Sequence, residues 1–245
     1  MPDILAGRQP VLEALRAGRP VNRVLVSQDA GRHSVIAEIL YLAQSRRIPV
    51  DYVPRVSLDQ AAAGASHQGV IAYAGAKEYV TLDDLFEVSR RKGESPLYCV
   101  LDGIEDPQNL GAILRTCSAT GVHGVVVRSR RAVGLTTAVS KASAGAIEYV
   151  PVARVNNIAY AISSLQQQNV WVIGIDGGGE NIFSNIDYAA PTAIVIGSEG
   201  KGVSDVVRRK CDAVARIPMK GDIHSLNASV AAAIVLYEAY RQRGW

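Results

Sequence analysis

Asn109 and Arg115 are the first side chains in the sequence whose type and setting suggest chemistry. They belong to Leu101-Asp102-Gly103-Ile104-Glu105-Asp106-Pro107-Gln108-Asn109-Leu110-Gly111-Ala112-Ile113-Leu114-Arg115-Thr116, which follows an apolar run directly. Asp106 has the type of a helix N-cap, and Pro107 suits the first helical position, where its missing N–H costs nothing. A strand end, a polar loop and a helix start are expected to meet here, and open α/β sheets bind their ligands at such carboxyl ends. An amide and a guanidinium at that place would offer hydrogen bonds to a polar ligand. The plainer alternative is that Asn109 satisfies nearby backbone groups and Arg115 is a solvated cation.

Two further segments have the same character. Ile194-Val195-Ile196 runs into Gly197-Ser198-Glu199-Gly200-Lys201-Gly202, where glycines permit positive φ and close approach to the backbone and Glu199 adds a carboxylate. The spacing is neither a P-loop nor a strict dinucleotide fingerprint. Gly174-Ile175-Asp176-Gly177-Gly178-Gly179 resembles a dinucleotide turn only weakly, because the stretch from Asn181 to Tyr188 does not read as a helix. The third segment is Ile217-Pro218-Met219-Lys220-Gly221-Asp222-Ile223-His224-Ser225-Leu226-Asn227-Ala228-Ser229. Ser225 and Asn227 are capping types that either cap the following helix or hold a ligand at its N-terminus. His224 has no carboxylate partner visible in the sequence and reads as a surface or binding histidine rather than a general base. His33, His67 and His123 are scattered, so no metal site is expected.

These segments need a scaffold, and the apolar pattern supplies one. The first 75 residues alternate helix and strand: helix Gln9–Arg16, strand Arg23–Ser27, helix Ser34–Arg46, strand Val50–Val53, short helix Leu58–Ala63, strand Val70–Ala74. Residues 76–96 turn polar and charged and read as a linker, with Leu82, Leu85, Phe86 and Val88 able to form a short docked helix. From 97 to 245 near-continuous apolar runs recur at Leu97–Leu101, Gly124–Val127, Val170–Ile175, Ala193–Ile196 and Ala213–Ile217, the mark of a parallel sheet covered on both faces. The last helix, about Leu226–Arg241, is rich in alanine and suits close packing or a subunit contact. The fold class is α/β in both parts.

Composition bounds the rest. The chain has 245 residues, 48% hydrophobic and 20% charged, with a formal charge of +3 that permits nucleic acid binding without proving it. Apolar stretches such as Ala231–Tyr237 fall far short of the ~20 residues of a membrane span. Met1–Gly18 carries Asp3, Arg8, Glu13 and Arg16 instead of a signal-peptide core. Cys99, Cys117 and Cys211 are odd in number and far apart, which argues for reduced thiols. A soluble, cytoplasmic protein is expected.

Taken in order, the three segments resemble the three motifs of the SpoU branch of the SPOUT RNA methyltransferases. The match rests on Asp106-Pro107 with Asn109-Leu110-Gly111 and Arg115, on Gly197-Ser198-Glu199-Gly200 with Gly202, and on Ile217-Pro218-Met219 with Ser225-Leu226-Asn227 and Ser229. The front end resembles the RNA-binding domain, of a ribosomal-protein-like fold, in the subgroup that methylates guanosine of large-subunit (23S) rRNA. Gly7-Arg8-Gln9-Pro10-Val11-Leu12-Glu13-Ala14-Leu15 and the turn His67-Gln68-Gly69-Val70 carry that likeness. Gln9, Lys220 and Ala228 depart from the commonest residues of relatives.

The resemblance implies a substrate-binding domain over 1–75 and a catalytic domain over 97–245 threaded into a deep trefoil knot, with homodimerisation through the knotted part. It implies S-adenosylmethionine as methyl donor, no metal, and methylation of a ribose 2′-hydroxyl in RNA. The donor would bind at Gly197, Ile217 and Leu226, with neighbouring contacts from Ile173, Gly174 and Ile175. The catalytic set would be Arg115, Asn109, Glu199, Ser225 and Asn227. A guanidinium stays protonated, so Arg115 is read as orienting the acceptor or stabilising developing alkoxide. Arg8, Arg128 and Lys201 are the leading RNA contacts, with Arg130, Arg131, Arg208, Arg209 and Lys210 beside them and Arg16, Arg19 and Arg23 in the front domain. Rival readings are a tRNA guanosine 2′-O-methyltransferase, a non-catalytic RNA-binding protein of the same fold, and a nicotinamide-dependent oxidoreductase using a glycine loop. The last lacks a complete strand–GxGxxG–helix unit.

Overall fold

The computed structural model describes residues 3–30, 33–130, 132–222 and 225–244. Arg131 and His224 lie outside the described residues. The chain divides into two compact units, Met1–Glu78 with Gly134–Tyr149, and Tyr79–Val133 with Val150–Trp245. No helix among the described residues is long and apolar enough to cross a membrane.

The first unit runs β1 (Asp3–Ala6), α1 (Arg8–Arg16), β2 (Val21–Ser27), α2 (Ser34–Ser45), β3 (Val50–Val53), α3 (Arg55–Ala62) and β4 (Val70–Ala74). Its sheet has the order β1-β4-β2-β3, with β4 antiparallel to both neighbours and β2 parallel to β3. Val11, Leu12 and Leu15 of α1 and Ile36 and Ile39 of α2 cover one face, packed on Val24, Val26 and Val70. Leu58 and Ala62 of α3 cover the other, against Leu25 and Ile71. Strand β1 is not foreshadowed in the sequence. It is four residues long and exists because Ile4 and Leu5 pair with Tyr73 and Ala72 of β4.

The second unit runs α4 (Leu82–Lys92), β5 (Leu97–Asp102), α5 (Pro107–Ala119) and β6 (Gly124–Arg128). After α6 (Thr137–Ala142), which belongs to the first unit, it resumes with β7 (Val152–Val155), α7 (Ile158–Gln167), β8 (Trp171–Ile175), β9 (Asn181–Ile182), β10 (Thr192–Gly197), α8 (Asp205–Arg208), β11 (Ala213–Arg216) and α9 (Ala228–Gln242). The seven strands are all parallel, in the order β7-β6-β5-β10-β8-β11-β9. All six residues of β5 and of β10 are buried, which is why these strands read as unbroken apolar runs. The chain leaves β8 for the edge at β9, returns to the centre at β10 and goes out again to β11. It then comes back along α9, which packs on α5 and β10. This weaving agrees with the knotted α/β domain that the resemblance implies.

Helix α4 fills most of the polar stretch before β5. Thr81 and Asp84 form a reciprocal capping box, Gly93 ends the helix in the left-handed region, and Leu85 and Phe86 are buried. The segment Gly134–Tyr149 is held inside the first unit by charge. Arg19, almost fully buried, donates to Asp3 at 2.6 Å, to Glu148 at 2.7 Å and to the Gly75 carbonyl. The Tyr149 hydroxyl donates to Glu13. At the other end of the chain Arg243 donates to the carbonyls of Ser95, Pro96, Tyr188 and Ala190, tying the end of α9 to the segments that lead into β5 and β10.

Candidate functional site

Because the strands are parallel, β5, β8, β10 and β11 bring Asp102, Ile175, Gly197 and Arg216 to one edge of the sheet. The chain leaves β10 through a tight reversal. Ser198 and Gly202 exchange two backbone hydrogen bonds of 3.1 and 2.9 Å across Glu199-Gly200-Lys201. Gly200 and Gly202 have φ of 75° and 63°, where glycine has no Cβ penalty. A Cβ on Gly197 would lie 2.0 Å from the Gly202 carbonyl carbon, so no other residue fits there. Two carboxylates fasten the reversal: Asp102 accepts from the Ser204 N–H at 2.9 Å and its hydroxyl at 2.6 Å, and Asp176 accepts from the Val203 N–H at 3.3 Å.

The reversal carries Glu199 to Asn109 and Asn227. Asp106 caps α5 by accepting from the Gln108 N–H, with Pro107 in the first turn, so Asn109 stands in the first turn of the helix, buried. Its amide donates to Glu199 Oε1 at 2.9 Å. Asn227 caps α9, its Oδ1 accepting from the N–H groups of Ser229 and Val230. The Asn227 amide donates to Asn109 Oδ1 at 2.9 Å and to Glu199 Oε1. Glu199 Oε1 thus receives two amide donors, while Oε2 has no hydrogen bond among the described residues and stays available as an acceptor.

A cavity of about 800 Å³ opens at the same edge, within the usual range for a small-molecule site. Ser198 and Gly200, on either side of Glu199, line it, so the network borders the cavity. Of the residues expected to hold a donor, Ile175, Gly197, Ile217 and Leu226 line it, and so does Ser225. Ile173 and Gly174 do not: they lie deeper in β8, where Ile173 is fully buried and Gly174 faces Cys211. Asp176 and Met219, which lie in the loop after β8 and in the motif Ile217-Pro218-Met219, also line it, and Arg216 joins them without having been singled out. Asp176 lies in the glycine-rich turn after β8, which marked the place. Arg216 gives no sequence signal, being the last residue of an edge-side strand whose guanidinium turns back to the carbonyls of Gly179 and Glu180.

The cations divide into free and committed. Arg115 is exposed on α5, without a hydrogen bond or ion pair among the described residues, about a third of a turn round the helix from Asn109. It therefore does not join the Asn109–Glu199–Asn227 network. Lys201 is exposed at the cavity, and Arg128 is exposed at the end of β6, two strands from β10 or roughly 10 Å along the edge. Arg208 is committed to Asp176 and the Gly178 carbonyl, and Arg16 to Glu13 and Glu38. Arg19 is a correction to the sequence reading, since burial with Asp3 and Glu148 removes it from any nucleic acid. Arg8 spends Nε on the Gln68 carbonyl, and its terminal guanidinium nitrogens have no partner among the described residues.

The lining fits S-adenosylmethionine. An amphipathic ligand of that size needs apolar walls beside backbone hydrogen-bonding groups, and Ile175, Ile196, Ile217, Leu226 and Met219 stand next to the side-chain-free Gly197 and Gly202. Among the described residues no group of three or more His, Cys, Asp or Glu is placed to hold a metal ion.

Comparison with known proteins agrees with this geometry. Residues 96–237 match the SpoU rRNA Methylase family, and residues 4–80 match the RNA 2′-O ribose methyltransferase substrate binding domain. A protein of Bacillus subtilis (strain 168), named for the TrmH family of tRNA/rRNA methyltransferases, is 45% identical over 241 residues, 98% of this chain and 96% of that protein. The SpoU methyltransferase AviRb of Streptomyces viridochromogenes, solved in complex with the cofactor AdoMet, is 26% identical with a TM-score of 0.81, covering 98% of this chain and 90% of that one. An AdoMet-bound rRNA methyltransferase of Sinorhizobium meliloti is 25% identical with a TM-score of 0.79, covering 98% and 87%.

Proposed function

The chain belongs to the SpoU rRNA methylase family, and from that premise we propose that it methylates the ribose 2′-hydroxyl of a guanosine in large-subunit (23S) rRNA. It is an S-adenosylmethionine-dependent RNA methyltransferase; the position on the nucleotide and the RNA are the proposal. The observation that carries it is the Asn109–Glu199–Asn227 network at the rim of the cavity, with one carboxylate oxygen unbonded among the described residues. A carboxylate oxygen so placed can accept from a ribose hydroxyl brought to the cavity.

S-adenosylmethionine supplies an electrophilic methyl group when bound. The backbone at Gly197, Ile217 and Leu226, with Ile175, would hold the donor. Glu199 Oε2 accepts from the acceptor hydroxyl, fixes its lone pair toward the cavity and takes up its proton as the methyl group passes to the oxygen and S-adenosylhomocysteine is left, while Asn109 and Asn227 keep the carboxylate from turning. Ser225 supports the donor side from the cavity wall. Placement of this kind supplies on the order of 7–11 kcal/mol in favourable intramolecular cases. Arg115 contributes charge: it orients the acceptor and its phosphate and stabilises oxygen as negative charge develops.

We assign RNA capture to the first unit and to Arg8, Arg128 and Lys201. Ribosomal rather than transfer RNA is favoured because the substrate-binding match occupies residues 4–80 in front of the catalytic part and the Sinorhizobium rRNA enzyme is similar over both. A homodimer is proposed through α9, where Val230 and Tyr237, 46% and 47% exposed, form one apolar stripe with Ile234. Its test is sedimentation, with Tyr237→Glu expected to give a monomer. Three unpaired thiols suit the reducing cytoplasm.

The experiment is transfer of label from S-adenosylmethionine to undermodified large-subunit rRNA and to bulk tRNA, with the labelled nucleotide mapped by nuclease digestion and mass spectrometry. The expected product is 2′-O-methylguanosine in 23S rRNA. The same product in tRNA alone overturns the target, and no transfer to either RNA by a donor-bound protein favours the non-catalytic RNA binder.

A further inference from the structure

The first unit has a cavity of its own, of about 270 Å³, lined by Arg8, Ser27, Asp29, Arg55, Gln68 and Gly69. Its floor is strained and braced. Gln68 has φ of 52°, an uncommon conformation for a residue with a Cβ, and Gly69 follows at 87°. Arg8 holds Gln68 twice, from its N–H to Oε1 at 3.2 Å and from Nε to the carbonyl at 3.0 Å. Below them the buried His67 accepts from the Gly69 N–H at 3.0 Å through Nδ1, and its Nε2 lies 2.9 Å from Asp59 Oδ1. Strain maintained by this much bracing marks a preformed site rather than a slack turn.

The polar groups left over define the ligand. The terminal nitrogens of Arg8, the whole guanidinium of Arg55 and the Gln68 amide N–H groups are unspent donors among the described residues. The Asp29 carboxylate is an unspent acceptor. A phosphate would be repelled by Asp29, and a simple amine by the two guanidiniums. A neutral heterocycle with acceptors on one edge and donors on the other satisfies both. Of the four RNA bases, guanine alone offers O6 and N7 to a guanidinium together with adjacent N1–H and N2–H donors for both oxygens of a carboxylate. Adenine would turn its N1 lone pair toward Asp29. The geometry points to a receptor for one unpaired guanine of the RNA substrate, read by Asp29 and by Arg8 with Arg55. This rests on the RNA-methylation reading and adds a base-specific contact remote in sequence from the chemistry.

The probe is a fluorescein-labelled nonamer of uridines whose central position is guanosine, adenosine or an abasic site, titrated with the full-length protein at fixed salt and read by anisotropy. Guanosine is expected to bind roughly tenfold tighter than either alternative, the usual scale of one bidentate base contact. Asp29→Asn and Arg55→Lys, both surface positions checked by circular dichroism, are expected to bring the guanosine oligonucleotide down to the affinity of the abasic one. Equal binding of all three oligonucleotides, or undiminished guanosine preference in Asp29→Asn, overturns the pocket. If base preference is absent while methyl transfer to RNA persists, only this inference falls. If neither oligonucleotide binding nor methyl transfer is found, the methylation reading falls with it.

Discussion

Asn227 has two tasks in one side chain, and substitutions separate them. Its Oδ1 accepts from Ser229 and Val230 at 2.9 and 3.3 Å and caps α9, while its amide bridges Asn109 and Glu199. Serine keeps a capping oxygen and deletes the amide donor. Aspartate keeps the cap, suits the positive helix terminus, and sets a second carboxylate against Glu199. Alanine loses both. Loss of the cap costs about 1 kcal/mol, and the two amide bonds, a part-buried one to the neutral Asn109 and an exposed, solvent-screened one to Glu199, together add about 1–2 kcal/mol. At about 2–4 °C per kcal/mol for a domain of this size, Asn227→Ala is expected to melt roughly 4–12 °C lower and Asn227→Ser roughly 2–8 °C lower. Methyl transfer follows the bridge instead of the cap. Freed of one support, Glu199 loses on the order of 1.4–2.7 kcal/mol of positioning, about 10- to 100-fold in rate, in the serine, aspartate and alanine variants alike. The assays are thermal melting and label transfer from S-adenosylmethionine to RNA. A serine variant that transfers methyl at the wild-type rate refutes the bridge, and one that melts with alanine refutes the cap.

Three further outcomes are expected. Gly197→Ala places a Cβ 2.0 Å from the Gly202 carbonyl carbon, so the reversal must open and S-adenosylmethionine binding, read by calorimetry, should be lost. Arg243→Ala strips a guanidinium from four carbonyls, two of them in the segment before β5, and is expected to cost about 3 kcal/mol and lower the melting temperature by roughly 6–12 °C, with Arg243→Lys recovering part of it. Hydrogen bonds from Arg241 and then Gln242 hold the Glu238 carboxyl down at about 2. Its folded-state pKa is depressed, so its contribution is complete above about pH 4.5 and is lost as pH falls toward 2. Melting followed between these limits should show a shallower acid decline in Glu238→Gln than in the wild type.

The elements legible in the sequence are those whose burial is intrinsic to their own residues. Val50–Val53 and Val70–Ala74 form over the residues the pattern indicates, and Leu97–Asp102 and Thr192–Gly197 extend the expected runs by one or two residues. Strand β7 escaped because Val152–Val155 is short and interrupted by the exposed Arg154; it becomes a strand by pairing with β6. The two residues of β9 exist only through Ala215 and Arg216 of β11. Helix α4 was visible in Leu82, Leu85 and Phe86, but the capping box of Thr81 with Asp84 is what turns that polar stretch into an ordered helix. The membership of Gly134–Tyr149 in the first unit was out of reach, because it depends on Glu148 meeting Arg19 across 129 positions of sequence.

At the site, the alternatives that sequence reading set against each other turn out to be compatible. Capping and ligand-side use of Asn227 compete only if one atom must serve both, and here the oxygen caps while the amide bridges. Asn109 differs: among the described residues its side chain bonds no backbone group of its own turn, and takes instead the amide of another asparagine 118 positions away. Gly197 was legible as a place for close approach, but the approaching group is the chain's own Gly202, and both glycines line the cavity. Each residue's local chemistry could be read singly. Their meeting could not, since it requires β10 to enter the sheet between β5 and β8, a consequence of strand order that no local pattern encodes. Arg115 shows the converse. It carries a strong motif position, yet among the described residues it makes no contact with the network, so the part proposed for it against the substrate has no counterpart in the contacts of the chain itself.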